Sequence, residues 1–416
     1  MSSTAPKLAG LGKVQIGGET AFGTEAAAAD LVDMRVISVD RSGLTHEAIP
    51  NEFQRQDFYE VEPILGRKNG TITTEHYLHG FNSSVPSAAS THLTPENDAA
   101  TGFDMLFGII ASAFGDQITQ GYVDSDSLSW GSPDITLTTA TSFDSGQLVT
   151  WKIGTNPETY ASGWVTNNTA TVLTMVHTTN ANDPQGDTLW GSYTAGAKAG
   201  DTYRNAFGTS FSIKIFGHDA DDVTTCLGCA VTGLQMSFEM GMPPKMTVTW
   251  GVADWDEDTS GGAPAVITWA FPAPEAIKGA QVVYGLDTSS TQFISNLTFD
   301  LGLDVRPVLD YNAIETIGQW QTVDIKPRIT YSVLRDVSAE PTTFAALTTT
   351  NPFVATFGDT PGRIISLIFP SAIIAEFPSF EDGDGSIMSP VTLLAGYNTD
   401  SGSSSVTDTI CRVAFG

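Results

Sequence analysis

The chain has 416 residues, 41% of them apolar and 16% charged, with 19 basic against 47 acidic residues and a net charge of −28. The length allows two or three domains with real cores, and so acidic a surface excludes tight binding to nucleic acid or anionic membranes. Charged residues fall below the usual share of about 25%; Thr, Ser, Asn and 40 Gly take their place, which favours a mainly β fold rich in turns.

The opening MSSTAPKLAG lacks the apolar core of a signal peptide, so synthesis and folding in the cytoplasm are expected. A first strand is expected over Lys13–Ile16. It runs into IGGETAFGTE, where Gly18 and Gly23 are spaced like the glycines of a phosphate loop. That loop needs Lys and then a hydroxyl residue after its second glycine, to neutralise phosphate and reach a metal. Thr24 and Glu25 stand there instead, and Gly-x-Gly-x-x-Gly is absent too. The stretch is therefore a turn whose glycines serve positive φ. A short helix is allowed over Ala26–Met34.

Strands follow over Met34–Asp40 and Gly70–Leu78, separated by a long polar arm, Arg41–Lys68. The spacing then predicts a helix. Thr94 is its N-cap, Pro95 its first residue, and Glu96 and Asp98 complement its dipole. Phe103, Leu106, Phe107, Ile110 and Phe114 recur at helical steps, and Gly115 ends it.

The composition then changes. Residues 116–201 hold two basic residues, Lys152 and Lys198, and strands over Asp134–Thr139, Gln147–Ile153 and Thr169–Val176. With Trp151, Trp164 and Trp190 available for a core, this segment reads as a small inserted β-domain between 1–115 and 202–416; the alternative is that its strands continue the main sheet. Period-two alternation predicts further strands over Thr209–Phe216, Gly233–Met240, Met246–Ala253, Ser295–Leu301, Lys326–Leu334 and Arg363–Phe369. A second long arm, Asp304–Gln321, separates two of them. Long loops in a compact domain commonly bind something or reach a neighbour. The arms carry Phe53, Phe58, Tyr59, Tyr311 and Trp320, which either anchor a contact between protomers or tuck back onto their own sheet.

Catalytic patterns fail on inspection. Cys226-Leu227-Gly228-Cys229 lacks a helix start for redox chemistry and further ligands for zinc, and is read as two small residues packed at a turn. His76 and His79 would point to opposite faces of a strand. Glu381–Ser386 misplaces the glycine and final Glu of a calcium loop, Asp254–Gly262 has no ligand spacing, and no Gly-x-Ser-x-Gly elbow exists. Neither an enzyme nor a cofactor or metal site is expected, and no stretch is apolar enough to span a membrane as a helix.

A resemblance adds to this reading. Glu19-Thr20-Ala21-Phe22-Gly23-Thr24 follows the first strand, and Gly66-Arg67-Lys68-Asn69-Gly70-Thr71 opens a later one. The helix GFDMLFGIIASAFG comes next, and GLQMSFEMGMPPKMTVTWGVADW forms a hairpin at Gly-x-Pro-Pro. In kind and order these pieces resemble the tail tube proteins of long-tailed phages, over 1–115 and 202–416. The resemblance implies a β-sandwich or partial barrel with one flanking helix and long arms. It implies hexameric rings stacked into a tube in the virion tail, a tape measure protein and a tail terminator as partners, and DNA only in transit. Assembly would take place in the host cytoplasm. The rival expectation is a β-rich tail-tip or surface adhesin that binds a receptor or glycan through the tryptophans of the insert.

Overall fold

The computed structural model describes residues 13–49 apart from 29, 64–80, 102–118, most of 123–198, 210–217, 223–258, 276–284 apart from 278–279, 294–310, 317–334, 351–375 apart from 359, 381–396 apart from 384–385, and 409–416. These residues are mainly β, in antiparallel sheets with one helix. Every strand expected from alternation falls on an observed one, with ends moved by a few residues or more. The helix allowed over Ala26–Met34 does not form. Val32–Met34 pairs with Val14–Ile16 instead, so a ladder outweighs the helix propensity of the alanines.

The centre of the molecule is an eight-stranded antiparallel run. In spatial order its strands are Val36–Ile49, Ile64–Tyr77, Lys245–Val252, Val223–Glu239, Ile294–Asp300, Arg328–Leu334, Ser386–Ala395 and Ile365–Ile374. The 17-residue strand Val223–Glu239 joins two parts of one large sheet. Its second half lies in this run. Its first half pairs with Phe211–Phe216 and Asp254–Asp258, and so reaches Val14–Gly18.

Cross-strand registers explain the core. His76, Met246, Met236, Phe299, Ile329, Leu393 and Ile374 face one another in a single row, and all are buried. The helix Gly102–Phe114 packs in this core, with Phe114 stacked on Phe299 at 5.9 Å and Phe107 edge-on to Tyr193 and Phe415. Gly115 ends it at φ 84°, its N–H donating to the Ala111 carbonyl. The N-terminal start expected at Thr94–Pro95 lies outside the described residues.

The insert has its own seven-stranded sheet, within 123–191, around Val149, Trp151, Val165, Leu173 and Leu189. The flanking strands Asp116–Ile118 and Tyr193–Lys198 pair with each other and belong to the main sheet. The chain thus enters and leaves the insert through a two-stranded stem, inside the limits of the composition break at 116–201.

Candidate functional site

Three features that are far apart in sequence meet at Gly228. The Glu19 carboxylate is buried beneath the first turn. One of its oxygens accepts from the Gly23 N–H (2.9 Å) and the Ser210 hydroxyl (2.5 Å); the other accepts from the Ser212 hydroxyl (3.0 Å) and the Gly228 N–H (2.9 Å). Gly23 takes φ 72°, as the turn requires. Gly228 itself sits at φ 59° in a bulge, where Leu227 and Gly228 together oppose Ser212. Its carbonyl accepts from the Trp320 indole N–H at 2.8 Å, and the Phe22 ring lies against its Cα.

The Cys-x-x-Cys is therefore part of a bulged strand and not a turn between elements. Burial pushes the Cys226 thiol up to about 12 and the Cys229 thiol well above its ordinary value, so neither is a ready nucleophile at neutral pH. The described residues contain no cluster of His, Cys, Asp or Glu able to hold a metal ion, and no helix long and apolar enough to cross a membrane.

Both arms prove to be partly ribbons. The strands Val36–Ile49 and Ile64–Tyr77 pair as far out as Ile49–Ile64, and three register shifts hide their alternation in sequence. The second arm is the hairpin Leu303–Leu309 with Ile317–Ile325. It lies back on its own sheet through Trp320, which is buried beside Ala230, Ala253 and Ile317, its ring edge filling the space above Gly251. Of the two alternatives for the arm aromatics, Trp320 follows the second. Phe53, Phe58, Tyr59 and Tyr311 lie outside the described residues.

The opposite face of the central run is unlike the rest of this acidic chain. Beside the buried row runs an outer one: Ser38, Glu75, Thr247, Gln235, Asp300, Arg328, Leu394 and Ile373. The next is Tyr77, Lys245, Ser237, Thr298, Thr330 and Thr392. Half of these fourteen side chains carry a hydroxyl. Its two cations are each held by a carboxylate, Lys245 by Glu75 at 3.1 Å and Arg328 by Asp300 at 2.9 Å. Sequence alone could not locate this surface, because its residues come from eight separate strands.

Beneath this face lies a directed hydrogen-bond chain. The Trp250 indole donates to the Thr74 hydroxyl (2.9 Å), and His76 contacts that hydroxyl through Nε2 (2.9 Å) and the Arg35 carbonyl through Nδ1 (3.2 Å). Thr74 has one proton to give, so Nε2 accepts it and Nδ1–H donates to Arg35. Burial lowers the pKa of His76 from 6.5 to about 4, and it lowers that of His79 as well. The unfolded chain takes up the His76 proton first as pH falls. Stability from this group is thus whole above pH 6.5 and gone below about 4, a loss of about 3 kcal/mol. We expect the urea midpoint to drop across that window, and to drop less in His76→Gln measured over the same range. An equal slope in both proteins would exclude His76 as the source.

The rival glycan platform loses its basis here. Trp151 and Trp164 are wholly buried and Trp190 nearly so, which leaves no exposed aromatic surface from these residues on the insert. Neither a protein-family model nor a curated protein sequence matches this chain.

Proposed function

We propose that this chain is a structural protomer of a phage tail tube, assembling into stacked rings that form a conduit for DNA. The observation that carries the reading is the open face of the central sheet. A conduit for a polyanion needs a broad surface that holds no phosphate, because each free cation in contact adds to affinity through counterion release. This face is wide and hydroxyl-rich, its cations are neutralised in place, and it belongs to a chain of net charge −28.

The long outer strand Val36–Ile49 supports the same reading. Among the described residues it is paired on one side only, by Ile64–Tyr77. An open edge of that length invites aggregation in a monomer and becomes useful in an assembly that covers it. The role is non-catalytic. On this reading the protein works in the virion tail, with its own copies, a tape measure protein and a tail terminator as partners.

Negative-stain microscopy of the purified protein tests the proposal: rings or tubes are expected, and compact monomers at every concentration would overturn it. Deleting Glu47–Asp57 is expected to leave soluble protein that does not polymerise. Normal tubes from that deletion would remove the first arm from the contact.

A further inference from the structure

We propose that the second arm, Leu303–Leu309 with Ile317–Ile325, is a strap that lifts from the body without unfolding it, latched by Trp320 at Gly228, whose position the first turn holds. The inference concerns a single protomer and does not depend on assembly.

The arm carries two paired strands around a corner. Asp300 pairs with Arg328, and Leu303 with Ile325. Only Leu301-Gly302 on one side and Lys326-Pro327 on the other link the two pairs. Gly302 turns at φ 61°, where a side chain would strike the Lys326 carbonyl. Beyond the corner the arm is a two-stranded sheet, with no ladder to the main sheet among the described residues. At its base Leu303 and Ile325 join the main core. Further out, contact passes to a small separate cluster, in which Val305, Ile317 and Trp320 lie on Phe22, Ala230 and Ala253. An isolated two-stranded hairpin is at best marginally stable, so the order of the outer arm depends on that cluster.

The latch is an indole slot floored by glycine. The Trp320 ring edge takes the place of a Gly251 side chain, and its N–H donates to the Gly228 carbonyl at 2.8 Å. The N–H of the same Gly228 is held by Glu19 at 2.9 Å, and the Phe22 ring of the first turn lies against its Cα. The turn therefore sets the position of the acceptor on which the arm closes. One group opposes closure. Thr322, two residues along the strand from Trp320, is fully buried, and its hydroxyl has no hydrogen-bond partner among the described residues. Water satisfies that hydroxyl once the arm lifts, so the closed state carries a desolvation cost that the open state does not.

Hydrogen exchange of the full chain at pH 7, read by mass spectrometry, is the test. In wild type the amides of 304–324 are expected to exchange about a hundredfold faster than those of Lys245–Val252. Low urea should hardly change the arm's rate, because a local opening exposes little surface. Trp320→Phe keeps a ring but removes the donor; it should speed the arm about tenfold and leave Lys245–Val252 unchanged. Phe22→Ala, on the other side of Gly228, should also speed the arm. Thr322→Val removes the unpartnered hydroxyl at nearly equal size and should slow the arm about tenfold. This last variant strengthens closure, so it can be read even if the others fold poorly. Two results would overturn the proposal. One is an arm that exchanges no faster than Lys245–Val252 and rises with it in urea, which would place the arm in the cooperative core. The other is an arm whose rate in both Trp320→Phe and Thr322→Val equals that of wild type.

Discussion

Replacing Glu19 by glutamine is expected to destabilise the protein by about 3 kcal/mol, since a buried donor left without its acceptor costs about 1–3 kcal/mol. Four donors converge on this carboxylate: two backbone N–H groups, Gly23 and Gly228, and two hydroxyls, Ser210 and Ser212. Only a group with two accepting oxygens and no hydrogens satisfies all four. A carboxamide turns an NH2 toward one pair of donors. The hydroxyls can rotate away, but the N–H groups cannot. Ser212 also accepts from the Ala26 N–H, so its rotation disturbs the far side of the turn. Aspartate is one methylene too short to reach Gly228 without moving the turn, and should fare little better. Urea unfolding at pH 7 measures the effect. A Glu19→Gln midpoint within experimental error of wild type would show that the carboxylate does not organise this junction.

Excising residues 119–191 and closing the stem with a short turn is expected to give insoluble protein, not a smaller folded protomer. The face of the insert sheet opposite its own core is docked on the main sheet. Leu148 and Trp164 pack with Val354, Ile364, Ile368 and Ala414, all buried, and the Trp164 indole donates to the Ser366 hydroxyl at 2.9 Å. The buried Arg412 guanidinium donates to the Gly146 carbonyl at 3.0 Å and occupies the space where a Gly146 side chain would lie. Removing the insert exposes this apolar patch and strips Arg412 of that acceptor. Trp164→Ala tests the same interface mildly, with an expected loss of about 3–5 kcal/mol. The measurements are the soluble fraction on expression and the urea midpoint. A soluble, cooperatively folding deletion would make the insert a detachable ornament.

How far the fold could be read ahead varied with the element. Alternation was clear in MTVTWGV and RITYSVL because those strands have one buried and one open face, and both were placed correctly. The hairpin of the first arm was hidden. Its three register shifts break period two, so the sequence looks like a polar loop. The ribbon Leu303–Leu309 was hidden because most of its side chains are neither buried nor paired with an apolar neighbour. At the Cys-x-x-Cys the sequence points to two small residues packed at a turn; both are packed, but Gly228 interrupts the pattern at a bulge inside a long strand, which leaves the same trace as a turn.

The sequence by itself determined the β class, the helix and its glycine stop, and the failure of phosphate, redox and metal motifs. Each of these depends on neighbours a few residues apart, or on overall composition. Only the tertiary structure decided that Glu19, Gly228 and Trp320 form one junction, and that Trp320 is buried rather than displayed. It also brought strands from distant segments together into a face whose cations are cancelled by cross-strand carboxylates. Sheet register creates those pairings, and register depends on which strands lie side by side, which no local pattern encodes.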